Sequence, residues 1–357
     1  MVMEGTHKLM IILALSSSFT LFITIVALIS CICCMKRGSS KDESSWDTEA
    51  SFEVEEMEMK GELIRFEGGE DLTCFDILDA PGEVIGKSSY GTLYRANLVT
   101  SDSVVVLRFL RPACTIGKVQ DVMHVVQLIG SIRHPNLVPL CGFYVGPRGE
   151  KLLVHPFYRR GNLAQFIRDG NGESQRWSVV YRISVGIARG LHHLHTGLQK
   201  PVIHGNLKSR NILLGRNQQP YVSDFGLHLL LNPPATQEMV EDAAVEGYKP
   251  AEIVGTNGIS VETDIFNFGV ILFELLTGKE PMNKEKADPD QDFHSNAILD
   301  RRISDFYHPD SPVDEEQVLK LSQLAMVCCS PSPSLRPSIK HICKKLQEIG
   351  SYGPRSR

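Results

Sequence analysis

Eight consecutive residues carry the densest chemistry in this chain: His204-Gly205-Asn206-Leu207-Lys208-Ser209-Arg210-Asn211. They set an imidazole, two cations and two amides on one short stretch, and Asp224 follows 13 residues beyond Asn211. Asn206 is the telling member. An amide has no ionisable oxygen, so it cannot take up the proton of a substrate hydroxyl, which is the task of a general base. Far upstream, Gly86 and Gly91 flank Ser88 in Gly86-Lys87-Ser88-Ser89-Tyr90-Gly91. Glycine in such a turn permits the dihedrals by which backbone approaches a phosphate closely.

These groups need a scaffold. Runs rich in β-branched and aromatic residues, 83–96, 104–110 and 152–157, read as strands and come early. Helical patterns follow at 177–196, 263–276 and 315–328. The order predicts an α+β chain, with a small β-rich lobe joined to a larger helical one. The polar stretch 282–293, with Lys, Asp and Pro, reads as a loop insertion in the helical lobe. A length of 357 residues with 42% apolar and 22% charged residues supplies a sizeable core, and a net charge of -5 gives no reason to expect nucleic acid as a partner.

The motifs resemble the protein kinase family in order and spacing. The segment 204–211 is similar to the catalytic loop H-R-D-L-x-x-x-N, and Asp224-Phe225-Gly226 reproduces D-F-G. Residues 85–94 resemble the glycine-rich loop, and Val104 to Phe109 the strand that carries the phosphate-pairing lysine. Gly247 to Glu252 resembles the end of the activation segment, with A-P-E scrambled to P-A-E. The segments 264–269 and 335–338 resemble later landmarks. The wording of 63–80, 132–138 and 247–248 is closest to plant receptor-like kinases of the leucine-rich-repeat type. The resemblance implies a two-lobed kinase-like fold over residues 62–350, divided near 157. It also implies nucleotide contacts at Gly86, Gly91, Arg108, Lys208 and Asn211, with magnesium at Asn211 and Asp224. His204, Asp264 and the pair Glu252–Arg336 would be structural.

Against that pattern the departures cluster where the reaction occurs. Asn206 holds the position of the catalytic Asp, so no catalytic residue is intact. Laid on the family pattern, Leu107 falls at the lysine position, and strand alternation then turns Arg108 away from the nucleotide; a one-residue slip would instead offer Arg108 as a substitute. The partner glutamate would fall at Val125, and no acid occurs from Val122 to Arg133. Losing both members avoids an unpaired buried charge. Val245 replaces the Thr that supports the catalytic Asp, and Gly205 replaces the Arg that binds a phosphorylated activation segment. Between Phe225 and Glu246 the only hydroxyl is Thr236, so activation by phosphorylation of that segment is not expected.

Residues 9–34 form an uncharged run of 26 residues, about 39 Å as a helix against a hydrocarbon core of roughly 30 Å. A cleaved signal peptide is the competing reading, but its apolar region is usually about 7–15 residues. Lys36, Arg37 and Lys41 follow the run, whereas Lys8 alone precedes it, so the long C-terminal part is expected in the cytoplasm. That topology assigns residues 1–8 to the outside, leaves no room for a ligand-binding ectodomain, and makes 351–357 a tail. Residues 35–61 read as an acidic tether. Cys31, Cys33 and Cys34 stand at the inner end of the run, where palmitoylation and structural filler are both open readings. The other six cysteines scatter without metal-ligand spacing, as expected of reduced thiols.

Two functional readings follow. One is a single-pass plasma-membrane pseudokinase that acts by binding receptor-like kinases or other signalling proteins, with weak binding of ATP and Mg2+ and no cofactor required. The other is a weakly active, ATP-dependent Ser/Thr receptor-like kinase in which positioning and electrostatics supply the catalysis.

Overall fold

The computed structural model describes residues 61–99, 101–117, 119–169, 174, 176–248, 259–281 and 315–351. The apolar run 9–34, the acidic tether, the P-A-E motif with Glu252, and the insertion at 282–293 lie outside them. So does the tail, apart from Ser351.

The first lobe is a six-stranded antiparallel sheet in the order β1-β5-β6-β4-β3-β2, built from β1 (Glu62–Arg65), β2 (Gly82–Ser88), β3 (Gly91–Leu98), β4 (Ser103–Leu110), β5 (Gly142–Val145) and β6 (Lys151–Pro156). The run of valines in β4 suits a central strand, where branched side chains pack on both faces of the pleat. β2 and β3 form the hairpin expected over 83–96, turning at Ser89 and Tyr90. Gly91 is required there: a Cβ would lie 2.3 Å from the carbonyl oxygen of Phe109 on β4. Between β1 and β2, α1 (Cys74–Asp79) starts on a capping box in which Thr73 and Asp76 satisfy each other's backbone N–H. Leu72 and Ile77 pack with Leu107, Cys141 and Val154 in a small separate cluster. α2 (Val119–Ser131) buries Val122, Val126 and Ile129 against the other side of the sheet.

The second lobe is helical. After α3 (Leu163–Arg168), α4 (Trp177–Thr196) runs over the interval its periodicity predicts, burying Val180, Ile183, Ile187, Leu191 and Leu194. A short ribbon of β7 (Ile212–Leu214) and β8 (Pro220–Val222) precedes α5 (Pro233–Val245). α6 (Val261–Thr277) is buried on all sides from Thr263 to Leu276, as its nearly uninterrupted apolar sequence demands. Ser260 caps its start, and Gly278 ends it at φ 64°. α7 (Glu315–Cys328) and α8 (Ile339–Gly350) complete the lobe, with the Tyr181 hydroxyl donating to the Leu346 carbonyl at 2.8 Å. Cys328 and Cys329 are buried where Gly269 of α6 leaves room; a Cβ there would meet the Cys329 sulfur at 2.7 Å. Among the described residues no helix is long and apolar enough to cross a membrane.

Candidate functional site

The loop 204–211 is held from below by α6. Asp264, fully buried in the first turn of that helix, accepts from the backbone N–H of His204 at 2.7 Å and of Gly205 at 3.0 Å, and lies 2.9 Å from His195 Nε2. A carboxylate at a helix N-terminus is favoured by the helix dipole. Burial pushes the His204 imidazole below its ordinary pKa despite Asp264, so it is a neutral loop anchor. His195 was not singled out from the sequence; its spacing within the α4 stripe gives it no signal beyond packing.

Within the loop, Asn211 donates its amide to the Asn206 carbonyl at 2.8 Å, and the Asn206 N–H donates to His204 Nδ1 at 3.2 Å. Asn206 is only 3% exposed, and its Oδ1 has no hydrogen-bond partner among the described residues. Gly205 takes φ 77°, and a Cβ on it would stand 2.5 Å from His228 Nδ1. The space and dihedral of an arginine's backbone are therefore lost here.

On β4 the structure corrects the expected register. Leu107 faces away from the cleft into the cluster with Leu72 and Val154, whereas Arg108, 5% exposed, faces into it. Its guanidinium forms an ion pair with Asp224 at 2.5 Å. Arg108 thus occupies the inward position where the family pattern puts lysine. Val125 on α2 is partly buried against the core, and Ile129 is the helix residue that lines the Arg108–Asp224 pair, together with Leu153 and Phe225. Asp224 adopts φ 63° and Gly226 φ 70°, a sharp reversal that aims the carboxylate at β4.

A second ion pair closes the other side. Lys208 Nζ lies 3.0 Å from Glu246 Oε1, and Arg210 Nε lies 3.4 Å from Glu246 Oε2. Glu246 follows directly on α5, a helix that sequence reasoning did not find in this segment. Asn232 caps it at the Ala235 N–H, Pro233 and Pro234 fit its first turn, and Ala235, Met239 and Ala243 form its buried stripe. Asn232 also ties the segment to the first lobe, donating from its backbone to the Cys114 carbonyl at 2.9 Å and from Nδ2 to that of Ala113 at 2.8 Å. Val245 is 69% exposed, so it makes no supporting contact with the loop. Beneath it, Ser209 and Tyr248 both donate to the buried carboxyl of Glu274, Ser209 at 3.0 Å. Burial pushes that carboxyl up to about 8.

Between the lobes is a cleft of about 620 Å³. Gly86, Arg108, Lys208, Asn211 and Asp224 all line it; Gly91 sits behind, in the sheet. A Cβ on Gly86 would make only ordinary contact with Leu93, at 3.8 Å, while Ser88 Oγ donates to the Gly91 carbonyl at 3.2 Å and ties the turn. Tyr158 packs against Tyr221 with ring centroids 4.5 Å apart and planes tilted by 41°. Arg336, buried, donates to the carbonyls of Ser330 and Glu262 at 3.0 Å and lies over the Phe266 ring; its expected partner Glu252 is outside the described residues.

A family model described as protein tyrosine and serine/threonine kinase matches residues 80–346. The kinase-like protein TMKL1 of Arabidopsis thaliana is 35% identical over 329 residues, covering 88% of this chain and 48% of the relative. A second Arabidopsis thaliana protein, named probable inactive receptor kinase RLK902, is 33% identical over 291 residues, covering 78% of this chain and 43% of the relative. The chain spans about half or less of the length of these relatives. Among solved structures, the kinase domain of maize SIRK1 bound to AMP-PNP superposes with a TM-score of 0.69 at 28% identity, covering 81% of this chain and all of that one. The pseudokinase domain of BIR2, an immune regulator of the RLK/Pelle family, gives 0.65 at 25% identity, covering 85% of this chain and 94% of that one.

Proposed function

The chain belongs to the plant receptor-like kinase family, and on that premise we propose that it is a membrane-anchored pseudokinase, a binding and regulatory component of plasma-membrane kinase signalling without efficient phosphoryl transfer. The observation that carries this reading is the state of the cleft. The base position holds the amide of Asn206, and the cations the family directs at phosphate are turned onto the chain's own acids, Arg108 onto Asp224 and Lys208 onto Glu246. Phosphoryl transfer depends on charges aimed in advance at the migrating group. Here that charge is spent internally.

Among the described residues the fold around the cleft is nonetheless retained, with Asp264, His204 and Arg336 in hydrogen-bonded positions. A retained fold beside a disarmed site suits a docking surface for receptor-like kinases or their substrates. The scaffold role requires no cofactor. Anchoring rests on the apolar run 9–34 and the cations after it. Proximity labelling by the full chain in plant cells tests placement and partners together. Labelled plasma-membrane proteins should include receptor-like kinases; a labelled set without them would sink the reading.

A further inference from the structure

The family's cleft binds nucleotide with a divalent cation, and the residues that would hold it here do not fit one. Asp224 is the carboxylate such a metal needs, yet Arg108 already occupies it at 2.5 Å. Asn211 donates its amide N–H to the Asn206 carbonyl, which leaves only its neutral Oδ1 for a metal, and Asn206 brings no charge. A cation placed at Asp224 would face the buried guanidinium of Arg108, a like charge.

The rest of the cleft points the same way. Lys87, Arg108, Arg159, Arg168, Lys208 and Arg210 line it, against the lining acids Asp224 and Glu246 and against Glu280, which lies 3.4 Å from Arg168. His155, beside Arg108, adds no charge, because burial pushes its pKa down. A chain with a net charge of -5 therefore concentrates positive charge in one place. Ile85, Leu93, Val106, Val138 and Leu213 supply apolar walls for a planar base. Arg108 engages Asp224 through one terminal nitrogen, and the guanidinium has five donors in a planar fork, enough to hold a carboxylate and a phosphate oxygen together.

We propose that Arg108 takes the place of the divalent cation, so that the cleft receives a nucleoside triphosphate as the metal-free anion. The metal-free triphosphate carries roughly two more negative charges than its magnesium complex, and it meets the cations in excess of Asp224, Glu246 and Glu280 without having to displace Arg108. The scaffold role above does not depend on this ligand, and a transfer assay reports on that role separately.

Equilibrium titration of the purified full chain with a fluorescent ATP analogue, in EDTA and in excess MgCl2, decides the matter. Binding in EDTA should be at least as tight as in magnesium. Asp224→Asn, which releases Arg108 from its ion pair, should keep or tighten the affinity in EDTA and leave binding intact in magnesium, whereas a metal-dependent site would lose its magnesium-supported affinity. Arg108→Ala should weaken EDTA binding by about tenfold or more, the loss expected of one charge-assisted contact, and magnesium should recover part of it through the freed Asp224. If Arg108→Ala does not fold, the Asp224→Asn comparison stands alone. Binding that appears only with magnesium, loss of binding in Asp224→Asn, or no binding in either medium up to millimolar ATP overturns the proposal.

Discussion

Asn206 shows how a lost carboxylate is absorbed. It lies buried with its backbone engaged and, among the described residues, its side-chain oxygen without a hydrogen-bond partner. A general base contributes about 10²- to 10⁴-fold, so a site otherwise competent would gain that factor from Asn206→Asp. No gain is expected here, because Arg108 and Lys208 stay closed on Asp224 and Glu246; labelled-phosphate transfer by the variant checks it. Gly205 is equally settled. Gly205→Arg forces a side chain onto φ 77° and against His228, which should destabilise by about 1–3 kcal/mol in denaturant unfolding. Glu274 titrates against the fold. Its carboxyl is raised from an ordinary 4.5 to about 8 by burial, so the folded state holds a proton that the unfolded state releases in between. The stability this confers is complete below about 4.5, declines as pH rises, and is gone above about 8. The imidazoles of His155, His204 and His228, depressed by desolvation, act oppositely, weakening the fold as pH falls below 6.5. The difference between wild type and Glu274→Gln isolates the first effect: the variant should lose the decline between those two pH values. The residue scale is also where the sequence misled. Leu107 and Arg108 are both buried, so hydrophobic alternation could not say which faced the cleft. The reason is local: Leu72 and Ile77, carried by α1 and the turn before it, cover the far face of β4 and make Leu107 core.

At the scale of elements, α4, α6 and α7 were legible because each carries an apolar period long enough to outweigh its surroundings. The β2–β3 hairpin and β4 were legible from their β-branched runs. α5 was not. Its sequence opens on two prolines and its buried stripe is Ala235, Met239 and Ala243, too small and sparse to announce a helix. What forms it is tertiary: Asn232 caps the helix and holds the loop of Ala113 and Cys114 at the same time. Asn232→Ala should therefore cost about 1 kcal/mol for the cap alone, and it should open the 227–248 segment to limited proteolysis at temperatures where the wild type resists. Met239→Ala should lower stability by about 2–5 kcal/mol in the same assay. A segment folded this way presents Glu246 to Lys208 and Arg210, so loosening α5 should release both cations into the cleft.

For the whole molecule, the fold was readable because the kinase landmarks fall in order along the chain, from the glycine turn to Arg336. The arrangement of the cleft was readable only in part. Missing groups leave a trace in sequence, as at Asn206, Gly205 and Val125, but new contacts do not: the Arg108–Asp224 and Lys208–Glu246 pairs join residues far apart in the chain. On the proposed reading, those two pairs supply a physical reason for inactivity beyond the missing base. The account's central claim is that this kinase-like chain works without moving phosphate, and the most direct test is transfer of labelled γ-phosphate from ATP by the full chain, beside an Asp224→Ala control, in magnesium and in manganese. The account predicts transfer no greater than the control for the chain itself and for general protein substrates. Robust transfer that disappears in Asp224→Ala would contradict it.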